Sequence, residues 1–204
     1  SWLQYDAFHV AFARHGLDWH WDLPPYRKML KISGGANRIS AFADKRDEQV
    51  DAKAIHATKT SWFLEKLQSA NVAPLFYVSV GLKAAQEHGM KTGFVSTTEK
   101  ATDQIIAQKL ISEGHLAFDI LTHRGLGLPE KPKPDAYIHA FEALGIKAKS
   151  AVVIEDNIDG VTAAKTAGAR VVGVPGAMAE QQDLKTADTT VGSGSDVQWI
   201  KLFA

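Results

Sequence analysis

The chain has 204 residues, 45% of them apolar, and its basic and acidic side chains balance at 23 each. That length and apolar share suit one globular domain, or one carrying a smaller inserted domain, and exclude a disordered chain, while the charge balance supplies no field to draw it to nucleic acid or an anionic membrane and points to a small partner. With no cysteine, disulfides, thiolate catalysis and Cys-ligated zinc are excluded, and with no apolar run near the roughly 18 residues of a membrane span, the expectation is a cytoplasmic protein, monomeric or weakly homodimeric.

From Ser1 to Ala70 the periodicity predicts helix after helix. Leu3, Ala7, Phe8, Ala11 and Phe12 recur at helical spacing, and Gly16 supplies the stop. Pro24 and Pro25 open a second helix, and Ser33-Gly34-Gly35 breaks the chain before a third. QVDAKAIHATKTSWFLEKL reads as a long fourth helix with Trp62, Phe63 and Leu67 in the core. After Asn71, short apolar runs alternate with helices. MKTGFVST, LAFDILTH, SAVVIED and ARVVGVP read as strands, with TEKATDQIIAQKL, PDAYIHAFEAL and DGVTAAKTAG as the helices between them. This alternation predicts an α/β fold with a doubly wound parallel sheet. LFYVSV, residues 75 to 80, is ambiguous: its propensity favours a strand, and its place before GLKAAQEHG favours a helix start.

Ligands of a doubly wound sheet sit beyond the carboxyl ends of its strands, and three of these ends carry usable groups. GFVSTTEK ends in Ser96, Thr97 and Thr98, with capping-box spacing from Ser96 to Glu99; a hydroxyl beside free N–H groups at a helix start also suits a phosphate. GLPEKPKPD places Lys131 and Lys133 in a proline-stiffened loop. SAVVIED ends in Glu155 and Asp156, two adjacent carboxylates that repel and resist desolvation. Either both point into water at a helix start, where acids are favoured, or a divalent cation such as Mg²⁺ neutralises them.

Hydroxyl, lysine and acidic pair, in that order at successive strand ends, resemble the haloacid dehalogenase (HAD) superfamily of phosphotransferases, in the branch that holds β-phosphoglucomutase and the CbbY-type sugar-phosphate phosphatases. GLDWHWD at 16 to 22 and SGGANRI in the helical part add to the likeness. The resemblance implies a first helix over 1–16 leading into a helical cap over 17–72, then a Rossmann-like α/β core over 73–204. It implies that Ser96, with Thr97, holds the transferring phosphoryl group and that Lys131 neutralises it. Glu155 and Asp156 would bind Mg²⁺, and Gly34, Gly35 and Arg38 would meet the substrate, Arg through its bidentate fork. The activity so implied is Mg²⁺-dependent hydrolysis of a small phosphorylated metabolite, a sugar phosphate, through an aspartyl-phosphate.

The family's Asp-x-Asp-Gly-Thr strand is absent from these residues. In the family it lies between the strands that here end at Ser96 and Glu155. The expectation is that a piece of roughly 15 to 20 residues ahead of Ser1 carries it, the alternative being that LFYVSV fills the slot. Gln4 stands where many relatives carry a His used in mutase chemistry, and glutamine exchanges no proton at neutral pH. Ala36 stands where relatives often have Lys, and Phe76-Tyr77 replaces Pro-Gly. A mutase and a catalytically inactive phospho-ligand or protein binder are the alternatives to a phosphatase.

Overall fold

The computed structural model describes residues 1–32, 34–74, 76–112, 118–176, 178 and 184–191. Two units separate by their internal contacts, Ser1–Ala70 and Asn71–Ala204. Ser33, Leu75, Leu116 and Ala117, which fall within the segments read above, lie outside the described residues.

The first unit is helical: α1 (Trp2–Arg14), α2 (Leu23–Met29), α3 (Gly35–Lys45) and α4 (Ala52–Ser69). Ser1 caps α1 by accepting the Gln4 amide, and Asp51 caps α4 by accepting the amides of Lys53 and Ala54, so the caps meet one orphan donor at the first helix start and two at the second. Ala7, Phe8, Ala11 and Phe12 form the buried stripe of α1, as the periodicity predicts, and α1 packs on α4. In GLDWHWD burial alternates. Trp19 and Trp21 go inward while Asp18, His20 and Asp22 stay exposed, the period-2 pattern of extended chain. The Trp21 ring lies 4.8 Å, centroid to centroid, from both Phe8 and Phe12, and its carbonyl accepts the Tyr5 hydroxyl at 2.5 Å. The segment therefore seals the aromatic core of this unit. Phe63 and Leu67 are buried as expected, but Trp62 is only half-buried, with the Lys66 ammonium 5.9 Å from its ring centroid.

The second unit carries α5 (Phe76–Glu87), β1 (Gly93–Val95), α6 (Lys100–Ser112), β2 (Ile120–Thr122), α7 (Asp135–Leu144), β3 (Val152–Glu155), α8 (Ile158–Thr166), β4 (Arg170–Gly173) and β5 (Thr189–Thr190). Among the described residues every strand ladder is parallel, as the strand–helix alternation predicts. β1 pairs with β2, while β3, β4 and β5 pair in that order; among the described residues no ladder joins β1 to β3. Tyr137 and Phe141 of α7 pack with Val153 of β3, Val161 and Ala164 of α8, Val171 of β4 and Leu184 into one core.

One ambiguity is resolved and one element was not foreseen. LFYVSV does not form a strand: residues 76 to 80 open α5, with Phe76 exposed and Ala84 and Ala85 turned toward the protein. The helix formers of GLKAAQE and a helical burial stripe outweigh the β-branched propensity of Val78 and Val80. The unforeseen element is β5. It is two residues long, and so short a run leaves no periodic signal.

Candidate active site

At the end of β1 the chain is pinned before it turns. The Ser96 amide donates to Thr122 Oγ1 at 2.9 Å, and that hydroxyl donates back to the Ser96 carbonyl at 2.9 Å, so one fully buried threonine of β2 fixes the Ser96 peptide. The expected capping box does not form. Ser96 Oγ accepts the Thr98 amide at 3.1 Å, two residues on, in the local turn that Ser favours, and α6 starts only at Lys100. Glu99 instead accepts from Arg124 at 2.6 Å. Ser96 Oγ also lies 2.9 Å from Thr98 Oγ1, and Thr98 donates to Asp103 Oδ1 at 2.6 Å. Asp103 is 1% exposed and its Oδ2 meets no partner among the described residues. Burial pushes its carboxyl up from the ordinary value, opposed by the Thr98 and Ser96 hydroxyls. Thr97, between them in sequence, is half-buried.

Lys131 reaches back from the loop ahead of α7. Its ammonium donates to the Val95 carbonyl at 2.8 Å, to Glu155 Oε1 at 2.5 Å and to the Tyr137 hydroxyl at 3.1 Å. Val95 is the last residue of β1 and Glu155 the last of β3. One lysine thus ties the carboxyl ends of two strands that share no ladder, with Ser96 the next residue on one side and Asp156 on the other. Lys133, in the same loop, is exposed.

The acidic pair splits. Glu155 is buried, and both its oxygens are engaged: Oε1 accepts from Lys131 and from the Tyr137 hydroxyl, Oε2 from the Asp156 amide and from Asn157 Nδ2, each at 3.3 Å. Its charge is therefore met by Lys131. Of the two readings made from sequence, the one that points both acids into water fails for Glu155, which is buried. Gly160 makes this burial feasible, since a Cβ there would lie 2.0 Å from the Glu155 carboxylate. Asn157 caps α8 by accepting the Gly160 amide at 2.9 Å, so the Glu155 carboxylate rests at a helix start. Asp156 is exposed, its Oδ1 accepting from Asn157 Nδ2 at 2.9 Å.

An oxygen-donor set of this kind fits Mg²⁺ in part. Asp156 has the open carboxylate, and Glu155 could add an oxygen only by sharing it with its present donors. No group of three or more acidic or histidine side chains gathers among the described residues. Mg²⁺ tolerates so sparse a protein set because it keeps waters and substrate phosphate as its other ligands.

Gly34, Gly35 and Arg38 belong to the helical unit, and two of them have structural duties. Gly34 sits at φ +83°, before α3, a conformation that favours glycine. A Cβ on Gly35 would lie 2.4 Å from the His56 ring. Arg38, one turn into α3, donates through Nε to the Ile32 carbonyl at 2.9 Å. The same unit buries a lysine that the sequence reading missed. Lys59 is 6% exposed, donates to Gln4 Oε1, and lies 5.2 and 5.1 Å from the ring centroids of Phe8 and Phe63. Burial, with Arg38 adding to it, lowers its ammonium from 10.5 to about 8. The signal was present: Ile55, Lys59, Phe63 and Leu67 are the buried residues of α4, spaced four apart.

A family model described as a haloacid dehalogenase-like hydrolase matches residues 3–168. The plasmid CbbY protein of Cupriavidus necator is 31% identical over 192 residues, covering 89% of this chain and 75% of that protein. Among solved structures, a mutant CbbY from Rhodobacter sphaeroides in complex with xylulose-(1,5)bisphosphate is similar with a TM-score of 0.77 and 28% identity, covering 93% of this chain and 86% of that one. A β-phosphoglucomutase from Clostridium difficile shares the fold at a TM-score of 0.73, with 19% identity over 99% of this chain and 89% of its own.

Proposed function

The chain belongs to the haloacid dehalogenase-like hydrolases, and from that membership we propose that it works as a Mg²⁺-dependent phosphatase on a small phosphorylated metabolite, a sugar phosphate. The observation that carries this reading is Lys131 held between the Val95 carbonyl and Glu155, the strand-end residues that Ser96 and Asp156 directly follow in the chain. In this reading Lys131 offsets phosphoryl charge, the Ser96 hydroxyl and neighbouring amides hold phosphoryl oxygens, and Asp156, with Glu155 behind it, would hold the metal. Mg²⁺ would supply neutralisation of phosphoryl charge.

The helical unit, in the same reading, selects the substrate as a cap, with Arg38 meeting a second phosphate or sugar group and Gly34 and Gly35 shaping the approach. A bisphosphorylated pentulose, the ligand class in the complex of the Rhodobacter sphaeroides relative, is the first substrate to try. Gln4 favours a phosphatase over a mutase, since its amide accepts from Lys59 and carries no exchangeable acid proton at neutral pH. Phosphate release is to be measured from sugar mono- and bisphosphates and from p-nitrophenyl phosphate, with Mg²⁺ and with chelator. Release that needs Mg²⁺ and is lost in Lys131→Met supports the reading. Release from none of these substrates, or release indifferent to Lys131→Met, refutes it.

A further inference from the structure

The Lys131 ammonium has three N–H groups, and three protein acceptors take them: the Val95 carbonyl, Glu155 Oε1 and the Tyr137 hydroxyl. An ammonium in that state can hold an incoming phosphoryl oxygen only by letting one acceptor go. The Val95 carbonyl is backbone and cannot follow it. Glu155 can, because Oε1 has a second donor in Tyr137. If Lys131 leaves that oxygen, the tyrosine keeps the buried carboxylate in place and hydrogen-bonded. Without the phenol, Glu155 would have Lys131 as its one strong partner on that oxygen, and releasing the lysine would leave a buried charge poorly met, a costly outcome.

We propose that Tyr137 is a positioning residue that holds Glu155 through its hydroxyl, so that Lys131 is free to turn toward a bound phosphoryl group. The hydroxyl can do this because the ring cannot move. Tyr137 is 3% exposed, six residues beyond Lys131 on the first turn of α7, and it packs with Phe141, Val153 and Val161. The ammonium also lies 4.7 Å from its ring centroid, which keeps the lysine over the aromatic face as it turns. Phe supplies the same packing without the hydroxyl.

The inference rests on reading Lys131 as the group that neutralises phosphoryl charge, and a double-mutant cycle separates the two. Tyr137→Phe, Lys131→Met and the double variant are titrated with inorganic phosphate in the presence of Mg²⁺, and each is unfolded in urea. Tyr137→Phe is expected to weaken phosphate binding about tenfold in the wild-type background, the scale of one hydrogen bond to a charged group, and to change nothing further in the Lys131→Met background. Equal weakening in both backgrounds, or none in either, overturns the inference, because a tyrosine that only supports packing acts regardless of Lys131. If Lys131→Met itself binds phosphate as wild type does, the phosphoryl reading of Lys131 fails. The pair is then judged by unfolding alone: additive losses overturn the coupling of Tyr137 to Lys131, and non-additive losses sustain it.

Discussion

Replacing Lys59 with Met should stabilise the protein near neutral pH and lose that advantage in alkali. The lysine stands in the buried stripe of α4 between Ile55 and Phe63, where a thioether of similar length packs without a charge. Its ammonium falls from 10.5 to about 8, and at about 1.4 kcal/mol per pH unit the charged form costs roughly 3 kcal/mol in the folded state. Against this, Met gives up the bond to Gln4, about 1 kcal/mol, and the attraction of the ammonium to the Phe8 and Phe63 rings, about 0.5 kcal/mol each. A net gain of about 1 kcal/mol remains. Between the folded value and the unfolded one, the unfolded chain binds more protons than the folded chain, so wild-type stability rises with pH through that window. The variant lacks this rise. Paired urea unfolding curves at about pH 7 and about pH 10 should therefore converge or cross at the higher pH. A variant less stable than wild type at neutral pH, or two curves that move in parallel with pH, would refute the account of a costly buried charge.

Gly160→Ala should lose about 1 to 3 kcal/mol, since the new methyl must displace the Glu155 carboxylate, and chemical denaturation checks it; a gain of the size expected from helix propensity alone would show that the carboxylate yields freely. Asp103→Asn should melt higher than wild type at neutral pH and gain nothing in acid. Its raised folded value means that the unfolded carboxyl ionises first and stability falls as pH climbs from the unfolded value through the folded one, so an equal shift in melting at both pH values would contradict it. Asp156→Ala should abolish the calorimetric response to Mg²⁺, whereas an unchanged response would remove Asp156 from the proposed metal site.

Features that repeat along the chain were legible in the sequence. The α1 stripe, the strand–helix alternation after Asn71 and the loop lysine before α7 all stand in the structure, because periodicity and proline stiffness act locally. What was hidden depends on partners distant in sequence. Nothing near Glu155 announces that Lys131, twenty-four residues back, meets its charge, or that the phenol of Tyr137 lies between them. Ser96 and Glu99 match a capping box in spacing, yet Thr122 and Arg124 from the next strand and its sequel take their polar groups. LFYVSV stayed open between strand and helix start, and the helical stripe it leads into decides it, since its β propensity is real but weaker. Lys59 could have been read as buried from its place among three apolar residues at four-residue steps.

The short run of hydroxyls from Ser96 to Asp103 has a direction. Thr98 has a single O–H proton, and the 2.6 Å contact with Asp103 commits it to the carboxylate. The proton in the 2.9 Å contact between Ser96 and Thr98 must then come from serine. At rest both hydroxyls point their hydrogens inward, toward the Asp103 carboxylate that ends the run, like a latch turned toward the door frame, and Ser96 shows an arriving anion only lone pairs. In the proposed function a phosphoryl oxygen would gain the serine proton by taking it from Thr98, exchanging one hydrogen bond for another, so that Ser96 would add little to affinity and much to discrimination: an acceptor strong enough to turn the latch would be held, and a weaker one, such as an uncharged carbonyl, would meet a hydroxyl that is already engaged.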